Sequence, residues 1–159
     1  MPVLRRMDAA EFDSWLAKAV PVYAAEKVAS GQWNKDDAQE RSLKEHKELL
    51  PLGLASGGNH FFVILDSGAQ TVGCLWFAVK TKFSLPIAYV FNVEVESEHR
   101  RKGHARRAFE ALEKEVALLG LHGVALHVFG HNTAARGLYA GLGYEPTNIN
   151  LFKHVPTGA

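Results

Sequence analysis

The sequence has a single cysteine, Cys74, so no disulfide can form within the chain. Its apolar neighbours in Val72-Gly73-Cys74-Leu75-Trp76-Phe77 mark a buried, chemically quiet thiol rather than a nucleophile. An excess of either charge is also lacking. Lys and Arg number 18 against 17 Asp and Glu, and a formal net charge of +1 supplies no global field with which to hold nucleic acid. No apolar stretch approaches the roughly 20 residues that cross a bilayer, and the opening Met1-Pro2-Val3-Leu4-Arg5 has no leader-like hydrophobic region. We therefore expect a cytoplasmic protein with no membrane partner. Repeats and low-complexity tracts are missing too. What is present, 47% hydrophobic and 22% charged residues over 159 positions, suits one domain, residues 1–159, with a real core.

Periodicity orders that chain into alternating elements. A short strand is expected at 3–6, after which Phe12, Trp15, Leu16, Ala19 and Tyr23 recur at helical spacing. Pro21 removes a backbone donor, which predicts a kink or break near Val20, with helix resuming toward Ala29 and stopping at Gly31. Asn34 reads as the N-cap of a second helix, with Asp36 and Asp37 in its first turn and Pro51 ending it. Strands at 60–65 and 71–79 form an antiparallel hairpin around Asp66-Ser67-Gly68; a loop over 80–86 and an apolar strand over 87–95 follow. The next helix buries Ala105, Ala108, Phe109, Leu112, Val116 and Leu119. Beyond it come a strand at 124–128, a short helix capped by Asn132, and a sixth strand-like segment at 149–153.

The junction at residues 95–107 carries the most chemistry. A strand there runs into a small-residue turn that opens an amphipathic helix. A helix start leaves N–H groups unpaired and partly positive, and Gly103 and Ala105 let a bulky anion approach the backbone. The local cations Arg100, Arg101, Lys102, Arg106 and Arg107 suit a phosphorylated small molecule. Taken alone, the stretch equally fits an ordinary strand-to-helix turn with a solvated basic face, or a nucleic-acid contact with steep salt dependence.

Arg100-x-x-Gly103-x-Ala105 resembles the acyl-CoA pyrophosphate motif of the GNAT superfamily of acetyltransferases. A second segment, Asn132-x-x-Ala135-x-x-Leu138-Tyr139-x-x-x-Gly143-Tyr144, resembles the other signature of that family. The order of elements matches as well, so the resemblance covers nearly the whole chain. It implies an α/β (α+β) GNAT fold: a mixed, mostly antiparallel sheet of about six strands with helices on both faces. It further implies acetyl-CoA as co-substrate and direct transfer of the acetyl group to an amine of a small molecule or peptide in a ternary complex. Main-chain groups of Val93 and Val95 would then meet the pantetheine arm, and N–H groups of Arg101, Lys102, Gly103, His104, Ala105 and Arg106, with Arg100 beside them, the pyrophosphate. Asn132, Ala135 and Tyr139 share one helix face and would flank the arm, with the Tyr139 phenol protonating the departing thiolate. A non-catalytic acyl-CoA sensor is the alternative, against which Tyr139 stands.

An alkyl ammonium must lose a proton before it attacks, and Glu94 and His127 are the candidate bases. Glu94 alternates with Val93 and Val95 and faces either the acceptor or solvent; His127 is either the base or a hydrogen-bonded sheet histidine. For the acceptor, Tyr23, Glu26 and Trp33 are the candidate lining residues, a carboxylate and aromatics suited to a cation, or else core aromatics and a solvated glutamate. Gly31-Gln32-Trp33 and residues 49–54 and 126–132 resemble a bacterial branch of the superfamily whose acceptor is unsettled. No metal is expected, since His99, His104, His122 and His131 lack paired ligand spacing. Gly137 and Gly141, four apart, leave a bare helix face that serves either a second subunit, in a homodimer, or nothing.

Overall fold

The structure, a computed structural model, describes residues 2–158. By contact, the chain divides into two compact units, Met1–His127 and Val128–Ala159. The first holds the strands β1 (Leu4–Arg6), β2 (Asn59–Leu65), β3 (Thr71–Lys82), β4 (Leu85–Val95) and β5 (Val124–Leu126). Its helices are α1 (Ala9–Ala29), α2 (Ala38–Leu49) and α3 (His104–Leu118), with 3₁₀ turns at Gly53–Ala55 and Ser97–His99. The second unit holds α4 (Thr133–Gly141). The sheet order is β1-β2-β3-β4-β5, antiparallel throughout except that β5 runs parallel to β4.

Alternation along β2 divides the core of the first unit in two. Phe61, Val63 and Leu65 point to one face, where they pack with Met7, Phe12 and Trp76 and with Trp15 and Leu16 of α1. Ile64 points to the other, against Val72 and Ala108 of α3, with Val93 and Val95 packed on the same cluster. Helices therefore cover both faces. Fully buried Phe109 and Leu112 anchor α3, and each such side chain contributes on the order of 1.5–3 kcal/mol. On the α1 face Trp15 and Phe61 lie at 5.1 Å, and Phe61 stacks on Trp76 at 5.2 Å.

Several expectations are corrected. Helix α1 runs through Pro21 without a break. The carbonyl that Pro21 cannot serve belongs to Ala17, on the exposed side of the helix where water can bond to it. The second helix begins at Ala38 behind Asp37, not behind Asn34; the Asn34 side chain instead accepts the Asp36 N–H at 3.0 Å, forming a turn ahead of the helix. No loop separates β3 from β4. The strands extend to a two-residue turn, Phe83-Ser84, with φ of 53° and 63°, a conformation ordinarily supplied by Asn or Gly.

The fifth strand stops at Leu126, two residues short of the expected end. Residues 149–153 form no strand, and Ile149, Leu151 and Phe152 are exposed. The described sheet accordingly has five strands where about six are expected. On α3, Leu119 is exposed and Ala105 half-buried, while His104 takes a place in the buried stripe.

Candidate active site

Strand β4 changes character halfway along. Opposite β3, Trp76 faces Asn92 but Phe77 faces Val90, so Phe91 is the extra residue of a β-bulge. Before the bulge, the Ala88 N–H bonds the Gly123 carbonyl on the β5 side. After it, the Glu96 N–H bonds Val72 of β3, and by the two-residue period the main-chain groups of Val93 and Val95 turn away from β3. The pairing of β4 with β5 ends at Val90 and Leu126, so among the described residues no strand meets that edge from Phe91 to Val95. An exposed row of strand donors and acceptors is a template for an amide-containing ligand. The Val95 carbonyl accepts from the Arg100 Nε at 2.8 Å.

The same chain passes through the 3₁₀ turn and Arg101, whose φ of 62° lies in the left-handed region, into Gly103 at φ 79° and then α3. Gly103 is the N-cap and has no side chain with which to bond the first-turn N–H groups of His104, Ala105 and Arg106. The first turn also has no acidic residue. The earliest α-helical bond is Arg107 N–H to the Gly103 carbonyl at 3.1 Å, which leaves those three donors and the positive end of a 15-residue helix directed at an anion. A sterically bare Gly103 beside an uncapped basic helix start fits a pyrophosphate.

Glu94 lies opposite Cys74 and Asn92 opposite Trp76, which puts both on the α1 face, away from Val93 and Val95. The Cys74 thiol donates to the Asn92 Oδ1 at 3.6 Å, and burial followed by the Glu94 and Glu96 carboxylates pushes its pKa up to about 12. It is the quiet thiol expected. Phe91 stacks on Trp76 at 4.6 Å and meets Tyr89 edge-on at 5.1 Å, extending the aromatic row of that face to the open half of β4. The sequence offered no signal for Phe91 or Asn92, because a bulge has no residue signature here.

Tyr23 and Trp33 come together at 5.5 Å, edge to face, with Ala24 and Ala38. Trp33 is buried, and the cations over the pair are the chain's own: Arg41 4.6 Å above Trp33, and Lys27 5.5 Å from Tyr23. Burial, then a hydrogen bond and the charge of Glu45, then the charge of Glu26, raises the Tyr23 phenol to about 12. Glu26 is exposed. His127 is exposed and lies one residue past the end of β5. Among the described residues Glu96, Glu98 and His99 could each offer one ligand atom to a metal, within 4.8 Å of one another, on the exposed 3₁₀ turn.

The second unit presents its motif differently. Asn132 caps α4, its side chain accepting the Ala135 N–H at 3.2 Å. Tyr139 is half-buried and meets Tyr144 at 5.8 Å, and burial raises its pKa, so the phenol keeps its proton well above neutral pH. A Cβ on Gly137 would meet nothing within 4 Å.

A strand edge opened by a bulge thus runs into a basic helix start with no side-chain cap. Residues 18–144 match the Acetyltransferase (GNAT) family, and the chain belongs to it. It is 32% identical to the uncharacterized N-acetyltransferase YycN of Bacillus subtilis over 151 residues, 95% of this chain and 97% of that protein. The crystal structure of YycN superposes with a TM-score of 0.85, covering 97% and 98% of the two chains. YdgE, an uncharacterized N-acetyltransferase of the same organism, is 30% identical over 152 residues, 96% and 97% of the two chains. The fold is also shared by AAC(6')-Iy, solved in complex with the bisubstrate analog CoA-S-monomethyl-acetylneamine, at TM-score 0.64 and 16% identity over 97% of each chain. The protein is an acetyltransferase.

Proposed function

We propose that the protein moves the acetyl group of acetyl-CoA directly to an amine held beside it. The observation that supports this most strongly is the continuity of the two halves of the first-unit site. Val93 and Val95 turn their main-chain groups to an unpaired edge, and ten residues further on the first-turn N–H groups of α3 await an anion. Acetyl-CoA, when bound, supplies a thioester carbonyl open to attack by an amine. Val93 and Val95 orient the arm through main-chain hydrogen bonds, while His104, Ala105 and Arg106 N–H groups, with Arg100, Arg101, Lys102 and Arg106 as cations, hold the pyrophosphate.

Glu94 is the better placed base of the two candidates. It leaves β4 on the α1 face, beside the aromatic row of Trp15, Trp76 and Phe91, where a carboxylate can draw in a cationic amine and take its proton. His127 remains the second base to test. Asn132 and Ala135 flank the arm, and the Tyr139 phenol, kept protonated by burial, gives its proton to the departing sulfur. In AAC(6')-Iy the molecule joined to CoA is an acetylneamine, which supports a small polar amine as acceptor here. Of the candidate lining residues Tyr23, Glu26 and Trp33, the two aromatics pack together in the core and exposed Glu26 is the one proposed to meet an acceptor cation. The protein works in the cytoplasm, without a metal.

Acetyl-CoA and CoA should each raise the melting temperature, while an oligonucleotide of equal charge should not. Free-thiol release across an amine panel then reports turnover. Tyr139→Phe and Glu94→Gln should each lower kcat by about a hundredfold. No acetyl-CoA shift at millimolar concentration would end this reading, and wild-type turnover by Glu94→Gln with a depressed His127→Gln would transfer the base to His127.

A further inference from the structure

Arg107 folds its guanidinium back onto the loop that opens α3. The two hydrogens of its Nη2 serve two acceptors: the Lys102 carbonyl at 2.8 Å and the His104 Nδ1 at 3.0 Å. A guanidinium can only donate, so His104 Nδ1 is the acceptor and the imidazole carries its proton on Nε2. These acceptors lie on either side of Gly103. The guanidinium also lies so close to that glycine that a Cβ there would sit 2.9 Å from Arg107 Nη1. His104, buried at 9% exposure, occupies the first turn of α3, where it replaces the apolar residue that a buried stripe would ordinarily carry.

We propose that Arg107 and His104 are a positioning pair: together they brace the Lys102-Gly103 turn so that the first N–H groups of α3 stay aimed at the pyrophosphate. Arg107 acts through the loop rather than as a phosphate ligand. The inference rests on the acyl-CoA reading of the site. Its physical basis is pre-organisation. Gly103 in the left-handed region is the most freely rotating residue of the junction, and two bonds across it remove freedom that ligand binding would otherwise have to remove.

The brace has a built-in dependence on the charge of His104. Around that imidazole stand Arg107 and Lys102 of the junction, His99 of the 3₁₀ turn and Asp66 of the β2–β3 turn, three groups that disfavour its protonation and one that favours it. Burial and these neighbours keep it neutral below its ordinary range. Protonation would place a hydrogen on Nδ1, end its acceptor role, and set two cations face to face.

The experiment is calorimetric titration of acetyl-CoA into the intact protein and its variants at several salt concentrations, each variant first checked by thermal melt. Arg107→Ala should weaken binding by about tenfold, the worth of one strong hydrogen bond, and leave the dependence of Kd on salt at its wild-type slope. His104→Leu should do the same. His104→Gln, whose Oε1 can still accept from Arg107, should bind within about twofold of wild type, and the Arg107→Ala/His104→Leu double variant should lose no more than the worse single one. Should Arg107→Ala fail to fold, the His104→Leu and His104→Gln pair decides alone. Unchanged affinity in both single variants overturns the pair. A flatter salt dependence in Arg107→Ala makes it a phosphate ligand and likewise overturns the inference. Failure of wild type to bind acetyl-CoA at all would instead remove the site reading on which the inference stands.

Discussion

The two helices that open the family motifs begin in opposite ways. At α4, Asn132 closes its own helix by accepting the Ala135 N–H. At α3, Gly103 offers no side chain, no acid lies in the first turn, and three N–H groups are left over. A capped start stabilises a helix by about 1 kcal/mol and makes it a rigid carrier for residues further along, here Tyr139. An uncapped start forgoes that stabilisation and keeps the positive end of the helix for a ligand. The same local rule, that first-turn donors must find an acceptor, thus yields a scaffold in one case and, in the function proposed above, a binding site in the other.

Making α3 resemble α4 should have the largest effect. Gly103→Asp supplies a carboxylate at the cap and places negative charge where the pyrophosphate belongs, and it crowds Arg107. Acetyl-CoA affinity should fall by about a hundredfold, since opposed like charges cost several kcal/mol, and the melting temperature should drop as well, because a side chain at φ 79° is strained. Equal affinity in calorimetry would mean the helix start holds no anion. Making α4 resemble α3 is the smaller reciprocal change. Asn132→Ala should lower stability by about 1 kcal/mol in denaturant titration. Asn132→Ser should restore that stability yet leave acetyl-CoA binding about threefold weaker, because serine replaces the cap oxygen but not the amide N–H₂.

Acid should weaken the start of α3 and spare that of α4, where no titrating side chain makes the cap. His104 is held below its ordinary 6.5 by burial and then Arg107, and His60, on β2, by burial and then Arg6. The unfolded chain takes up protons at higher pH than these folded sites do. Stability therefore falls as the pH drops below about 6.5 and through the lower folded values. Thermal melts across that range should show a shallower decline for His104→Gln; an identical decline would exclude His104 as a contributor. The smallest effect concerns the bare face of α4. Gly137 meets nothing within 4 Å, so Gly137→Ala should raise stability by up to about 1 kcal/mol. A loss instead, accompanied by a change in mass on light scattering, would reveal a second subunit on that face.

Much of this architecture was legible without coordinates, and the exceptions share a cause. Helix α3 announced itself through Ala108, Phe109, Leu112 and Val116, and β2 through an apolar run whose alternating residues serve the two faces. Those patterns are local, and each was satisfied by burying one face. Phe83-Ser84 reads as part of a loop because neither residue advertises a positive φ; the strands on either side impose it. Pro21 reads as a kink or break because the helix propensity of one residue speaks louder in isolation than in α1, where Phe12, Val20 and Ala24 are buried. Residues 149–153 had the alternation of a strand, but alternation becomes a strand only where an edge pairs with it.

The candidate site divides along the same line. Sequence by itself determined the family, the glycine and cations of the β4–α3 junction, the cap at Asn132 and the phenol at Tyr139, because these depend on residue type and on spacing within a few positions. Tertiary structure alone decided that β4 bulges at Phe91 and parts from β5, so that Val93 and Val95 turn their main chain to an open edge. It also decided that Glu94 stands on the α1 face beside Cys74, and that Arg107 folds back across Gly103 onto His104. Which way a backbone amide faces, and which cations the chain keeps for its own backbone, are set by what packs and pairs across the sheet. No short stretch of sequence contains that information.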